Sequence, residues 1–261
     1  RIISPKHSDP DFINFLNKIT EKYKIDFIHP QPSSEALVIS QNLDSITTKT
    51  LLPPPNVIST DKLETQKILS KLGIFVAKTK VIANYEMISN IFEELGSGPH
   101  WIRAKTGAGG NLSLLCNTPN EVEYWMKLWI IRGKANFDDF MLQQYLPGRN
   151  IAWDSFWYNG KLVSSFTRER LEYPFKHISP SGITGTPTVS KIIVEESVNK
   201  IGEDAVKSVH KKPHGNYAVD LKQNIDGKWY VTEIDSGKFH TTTPLWGYIS
   251  TKILKQDPMY N

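Results

Sequence analysis

The stretch that decides the fold is Tyr217-Ala218-Val219-Asp220-Leu221-Lys222-Gln223-Asn224-Ile225-Asp226-Gly227-Lys228-Trp229-Tyr230-Val231-Thr232-Glu233-Ile234-Asp235. Asp226-Gly227 is a favoured two-residue hairpin turn. With that turn, Ile225 pairs with Lys228, Val219 with Ile234 and Asp220 with Glu233. Side chains alternate along strands, so Asp220, Glu233 and Asp235 share one face while Val219, Leu221 and Ile234 share the other. The second is a core face. The first gathers three carboxylates, and two of them ~5 Å apart repel by roughly 3 kcal/mol at an effective dielectric of about 20. A sheet accepts that cost most readily with a cation present, and an all-oxygen donor set favours Mg²⁺, Mn²⁺ or Ca²⁺. The competing reading is a solvated acidic edge, with Lys222 and Lys228 close by.

Working towards the N-terminus, a helix is expected over residues 194–210, with Ser197, Ile201, Ala205, Val206 and Val209 turned inward. Residues 141–145, 151–158 and 161–167 read as strands, and Asn159-Gly160 as a hairpin turn. Arg168 and Arg170 flank Glu169 at the end of a strand. They share a face and suit bidentate recognition of phosphate or carboxylate, against the plainer reading of an exposed charged strand.

Further back, strand 101–105 leads into Thr106-Gly107-Ala108-Gly109-Gly110-Asn111, and 112–116 is again extended. No Lys-Ser or Lys-Thr follows, so this is no Walker A loop. Nor does a helix follow directly, as a dinucleotide fingerprint needs. Strand, glycine loop and strand make a flap that can offer backbone N–H groups to phosphates, or a plain surface hairpin. Lys105 enters that loop. Thr118-Pro119-Asn120-Glu121 is a capping box that starts a helix running to about Ile131. Trp125 and Trp129, at i and i+4, are assigned to the core.

The first sixty residues read as helices (11–24, and a second capped by Ser33 or Ser34) alternating with short strands at 26–29 and 50–52. That alternation suggests parallel pairing in an open sheet. Pro53-Pro54-Pro55 marks a boundary. A helix from about Thr60 to Leu72, with Asp61 and Glu64 in its first turn, stops at Gly73.

The whole chain has 261 residues, which points to two structural units. Lys and Arg total 31 against 27 Asp and Glu, a net +4 too small to indicate nucleic acid or an anionic membrane. Cys116 is the single cysteine, so no internal disulfide forms. No stretch approaches the roughly 20 apolar residues of a membrane span, and no signal peptide is evident, so a cytoplasmic location is expected. Among the seven histidines only His240, just after the acidic hairpin, stands near candidate chemistry.

Taken in order, four segments resemble the ATP-grasp superfamily, and most closely its carbamoyl-phosphate synthase and biotin carboxylase branch. They are Asp61-Lys62 opening a helix that ends Lys71-Leu72-Gly73-Ile74; Trp101-Ile102-Arg103-Ala104-Lys105-Thr106-Gly107-Ala108-Gly109-Gly110; Leu142-Gln143-Gln144-Tyr145-Leu146-Pro147-Gly148; and Tyr217–Asp220 with Glu233-Ile234-Asp235. The resemblance implies an α+β fold of the α/β class. A partial, Rossmann-like open parallel-sheet domain (1–57) would precede an ATP-grasp domain (58–261), with a lid at about 76–140 and an antiparallel C-terminal part at about 141–261. It implies that Lys62 and Lys105 contact ATP phosphates and that Gly107, Gly109 and Gly110 form the lid's phosphate loop. Gln143, Gln144, Tyr145 and Leu146 would form the hinge reading adenine, with Asn150 just beyond. Asp220, Glu233 and Asp235 would hold Mg²⁺, with Mn²⁺ as the alternative.

The implied activity is that of a carboxylate–amine ligase. ATP would phosphorylate a small carboxylate, an amine would attack the acyl phosphate, and Arg168, Arg170 and Lys238 would hold that intermediate. Small-molecule substrates are the expected partners, with neither nucleic acid nor membrane; a homodimer is compatible. Several positions depart from the family pattern. Gln143 stands where Glu is frequent, Asn150 where an acidic residue is common, Asp235 where Asn is usual, and Gly237-Lys238 where Arg is frequent. These departures motivate a second reading, a nucleotide-binding regulator without ligase chemistry. A basic nucleic-acid binder is the third. Residues 1–57 resemble only the second half of the N-terminal domain, and Arg1 is not Met, so further N-terminal sequence is expected.

Overall fold

The computed structural model describes residues 2–58, 61–106, 110, 112–183 and 187–237. Five antiparallel strands form the larger sheet. They are β5 (Asn150–Tyr158), β6 (Lys161–Glu172), β7 (Val189–Ile193), β8 (Gly215–Gln223) and β9 (Trp229–Ser236), in the order β7-β6-β5-β8-β9. Asn159 and Gly160 both take positive φ, 49° and 86°, which gives the tight β5–β6 turn the twist that its flanking strands need. One face of this sheet is the main core. Trp153, Trp157, Val219, Leu221 and Val231 pack there with Val198, Ala205 and Val206 of α7 (Glu196–Val209) and Leu69 of α4 (Lys62–Lys71).

The smaller sheet has the order β1-β4-β2-β3, built from β1 (Thr79–Val81), β2 (His100–Ala104), β3 (Leu114–Cys116) and β4 (Phe140–Gln144). Helices α5 (Ile88–Glu94) and α6 (Pro119–Ile131) cover it through Ile91, Val122 and Met126, which meet Ile102, Phe140 and Leu142. Both halves of the capping box at Thr118 and Glu121 form, and Pro119 occupies the first turn. Trp125 and Trp129 pack against this core edge to face, 5.5 Å between ring centroids. A third cluster joins α1 (Phe12–Tyr23), α2 (Ser33–Gln41) and the short α3 (Pro55–Ile58) through Phe12, Ala36, Ile39, Leu52 and Ile58.

Four sequence expectations need correction. The strands expected at 26–29 and 50–52 reduce to one parallel bridge, Phe27 to Lys49. Pro30 and Pro53 close the two segments, and no further strand pairs with them among the described residues. Neither Ser33 nor Ser34 caps α2; Pro32 holds the N-cap position, and Ser33 is already helical. On α7 the buried face carries Val198, Gly202, Ala205 and Val206, while Ser197 is exposed. The phase is set by Gly202, whose missing side chain leaves room for the Trp153 ring.

The fourth correction concerns the acidic hairpin. Its turn is not the two-residue type, because Asn224 N donates to Lys228 O and Gly227 N to Asn224 O, enclosing Ile225-Asp226-Gly227. Gly227 takes φ 77°, as a three-residue loop with a terminal left-handed position requires. A bulge between Asp220 and Leu221 places Leu221 opposite Val231 and Asp220 opposite Glu233. The longer turn and the bulge offset one another, so Asp220 faces Glu233, and Val219 faces Ile234, as the shorter turn also required.

A cavity between the two sheets

The face of the large sheet opposite α7 looks across a cavity of about 380 Å³ towards β2 and β4 of the small sheet. Alternation on β8 brings Ala218, Asp220 and Lys222 to this face, and on β9 it brings Glu233 and Asp235. All three carboxylates singled out in the sequence therefore line one cavity. Alternation on β6 brings Arg168 and Arg170 there too. Glu169 turns to the other face, where Arg149 binds it through two hydrogen bonds of 2.9 and 3.0 Å.

The charges in the cavity are paired. Arg170 grips Asp220 in a fork, Nη1 to Oδ2 at 2.9 Å and Nη2 to Oδ1 at 2.6 Å. Burial opposes the charge on Arg170, but attraction and hydrogen bonding to Asp220 outweigh it and raise its pKa above the ordinary arginine value. Glu233 receives Lys62 Nζ at 3.0 Å on Oε1 and Arg103 Nη2 at 2.8 Å on Oε2. Lys62 is the first residue of α4. Asp61 caps that helix by accepting from the backbone N–H groups of Leu63 and Glu64, which fixes the direction in which Lys62 leaves the helix. Arg168 Nε lies 3.5 Å from Asp154 Oδ2, and both side chains are nearly inaccessible.

The repulsion between Asp220 and Glu233 is therefore met by side-chain cations, and their apposition does not by itself require a metal. Among the described residues no three His, Cys, Asp or Glu side chains already surround a common metal-sized position. The donor chemistry nevertheless suits a hard cation, since Asp220, Glu233 and Asp235 offer only oxygen to one cavity.

At the other end of the cavity, Gln143, Gln144, Tyr145, Leu146 and Asn150 all contribute to the lining. Gln143 donates from Nε2 to Thr79 Oγ1 at 2.8 Å, and Asn150 Oδ1 accepts from Arg170 at 3.3 Å. The Lys222 ammonium lies here over two aromatic rings, and its pKa is lowered by burial and by the neighbouring Arg103 and Arg170, against the attraction of Asp220.

Gly110 lines the cavity with φ 71°. Lys105 does not line it; β2 ends at Ala104, and the Lys105 N–H donates to Asp139 O at 2.8 Å. Gly107, Gly109, Lys238 and His240 lie outside the described residues. Trp101, Arg103 and Tyr173, none of them a candidate from the sequence, also line the cavity, as does Lys222, expected only as a neighbour of the acidic edge. A signal for Arg103 existed: Ile102 had to face the core of the small sheet, which turns Arg103 the other way.

No protein-family model and no curated protein matches the chain. Solved structures do. D-alanine–D-alanine ligase from Coxiella burnetii superposes with a TM-score of 0.60 at 19% identity, over 83% of this chain and 61% of that one. The biotin carboxylase domain of 2-oxoglutarate carboxylase from Hydrogenobacter thermophilus, solved with MgADP, ADP and bicarbonate, gives a TM-score of 0.67 at 15% identity. That match covers 93% of this chain and 55% of the other. L-amino acid ligase from Bacillus licheniformis gives 0.66 at 14%, over 96% and 58%.

These neighbours are ATP-grasp ligases, and the two sheets with their intervening cavity have the ATP-grasp fold. The chain spans 61% or less of the length of each of these three structures. Among the described residues no helix is long and apolar enough to cross a membrane.

Proposed function

We propose that the chain is the nucleotide-binding part of an ATP-dependent carboxylate–amine ligase, with residues 58–261 as its ATP-grasp domain, a lid at about 76–140 and residues 1–57 as part of a preceding domain. One observation carries this reading. Asp220 and Glu233 stand side by side in a cavity between two sheets, with Lys62 and Arg103 on Glu233 and the segment 143–146 at the far end. Such an arrangement suits a molecule with a polyanionic end and a flat end.

In this reading Asp220, Glu233 and Asp235 hold Mg²⁺, or Mn²⁺, which when bound neutralises charge on the triphosphate. Lys62 and Arg103 would exchange part of their contact with Glu233 for phosphate oxygens. Lys105, Gly107, Gly109 and Gly110 belong to the loop that closes over the phosphates. Gln143, Gln144, Tyr145, Leu146 and Asn150 border the base and ribose. The γ-phosphoryl group passes to a carboxylate oxygen of a small substrate; the bond between the β,γ-bridging oxygen and the γ-phosphorus breaks, and ADP leaves. An amine then attacks the acyl carbon and expels phosphate. Arg168, Arg170 and Lys238 hold the acyl phosphate. No protein nucleophile is needed, because positioning and charge stabilisation suffice.

The test is ADP release and Mg²⁺-dependent nucleotide binding in the double variant Asp220→Asn, Glu233→Gln. Both should fall at least tenfold while the fold is retained by circular dichroism. Unchanged hydrolysis and Mg²⁺ dependence would remove the site assignment. A second reading, a nucleotide-binding regulator without ligase chemistry, is favoured by the pairing of Asp220 and Glu233 with the protein's own cations. It predicts thermal stabilisation by nucleotide without ADP release across a panel of carboxylates and amines.

A further inference from the structure

The end of the cavity farthest from Asp235 holds a cation that the chemistry above leaves unused. Lys222 follows Asp220 by two residues on β8 and shares its face. It pairs with Asn150 on one side and Tyr230 on the other, whereas Asp235 stands opposite Ala218. About 13 Å of strand separates those two rungs. The same end of β8 is tied to the turn that follows Gln143–Leu146: Gly148 N donates to Gln223 O and Gln223 N to Arg149 O, both at 3.0 Å. A nucleotide with its phosphates over Asp220, Glu233 and Asp235 therefore turns its base towards Lys222.

The surroundings of the ammonium are those of a recognition group. Nζ lies 5.8 Å from the Trp101 ring centroid and 5.7 Å from that of Tyr145, two rings stacked 6.4 Å apart at 27°. Cation–π attraction at this range holds the head group over the rings. The described carboxylates nearby are engaged elsewhere, Asp220 by Arg170 and Glu233 by Lys62 and Arg103. An ammonium has three donors and no acceptor. It thus matches the O6 and N7 acceptors of a 6-oxopurine, whereas a side-chain amide matches the N6 donor and N7 acceptor of adenine. Of the three side-chain amides that line the cavity, Gln143 donates its NH₂ group to Thr79 and Asn150 donates its own to Tyr173.

We propose that Lys222 selects the base, its ammonium donating to the O6/N7 edge, so that the cavity accepts a 6-oxopurine nucleoside triphosphate at least as well as ATP. This rests on the nucleotide reading above and sharpens it to a class of base. ITP and ATP carry identical phosphates and differ at position 6 and the adjoining N1 proton, so the ratio of their affinities isolates the base. The experiment is titration calorimetry of the full chain with each nucleotide and Mg²⁺, in wild type and in Lys222→Met, which keeps an unbranched stem against the rings.

Wild type should bind ITP at least as tightly as ATP, and Lys222→Met should shift the ratio towards ATP by about tenfold. If Lys222→Met does not fold, Lys222→Gln, which supplies an amide, should move the ratio in the same direction. A wild type that prefers ATP, a ratio unchanged by substitution, or an equal loss for both nucleotides overturns the role of Lys222 and leaves the nucleotide site standing. Binding of neither nucleotide by wild type overturns both.

Discussion

Asp220 and Glu233 face each other across β8 and β9, yet each is neutralised from a different part of the chain. Arg170 reaches Asp220 from within the large sheet, while Lys62 and Arg103 reach Glu233 from α4 and from the small sheet. Glu233 is thus a point where three elements distant in sequence meet. Its half-buried carboxylate makes the Arg103 contact a charge-assisted link between the two walls of the cavity.

Removing that link should be felt as lost nucleotide affinity more than as lost fold. In Arg103→Met, Glu233 keeps Lys62, so no carboxylate is stranded. Nucleotide affinity in the presence of Mg²⁺ should fall by about tenfold, as expected for one charge-assisted contact. Titration calorimetry with ADP checks it, and an unchanged Kd would separate Arg103 from the nucleotide.

The seat of α7 on the large sheet has no spare room. A Cβ at Gly202 would lie 2.3 Å from an atom of the Trp153 indole, whose own Nε1 is hydrogen-bonded to Asn199 Oδ1 at 3.1 Å. The fully buried ring cannot move aside cheaply, so Gly202→Ala should destabilise the protein by about 1–3 kcal/mol in urea unfolding despite the better helix propensity of alanine.

His29 gives the N-terminal region a pH dependence. Burial lowers its pKa from 6.5 to about 4. Below pH 6.5 the unfolded chain takes up a proton that the folded chain refuses, so stability is full above that value and declines as pH falls towards 4. The loss should amount to about 2–3 kcal/mol. Paired unfolding curves of wild type and His29→Gln across that window isolate it, because the variant should lack this part of the decline.

Cys116 should report unfolding without perturbing the fold. Its side chain is inaccessible in the small-sheet core, and burial, helped by Glu121, pushes the thiol up to about 12. Thiolate is the reactive form. Iodoacetamide at pH 8 should therefore label the native protein at least a hundredfold more slowly than the urea-unfolded chain, as read by mass spectrometry.

Much of the lining of the candidate site was legible in the sequence. Alternation placed Asp220, Glu233 and Asp235 on one face, and Arg168 with Arg170 on another strand's matching face, because strand periodicity fixes direction whatever the partner. The capping box at Thr118 was equally local and fixed where α6 begins, whereas Asp61, expected in the first turn of its helix, is the N-cap of α4. The phase of α7 was not legible, since it depends on where Trp153 needs space. The strands expected in the first sixty residues depended on neighbours that the described residues do not supply.

What the sequence determined by itself is local: which residues pair, which faces they share, and which elements they form. What the tertiary structure decided is the electrostatic identity of the cavity. Nothing in the spacing of Lys62, Arg103 and Glu233 reveals that the first two bind the third, because 171 and 130 positions separate contacts that exist only once α4 and the two sheets have packed. The same assembly sets the Lys222 ammonium over the rings of Trp101 and Tyr145, two residues from other strands and turns. Charge and aromatic contacts of this kind depend on distances of a few ångströms in space, and the sequence records only distances along the chain.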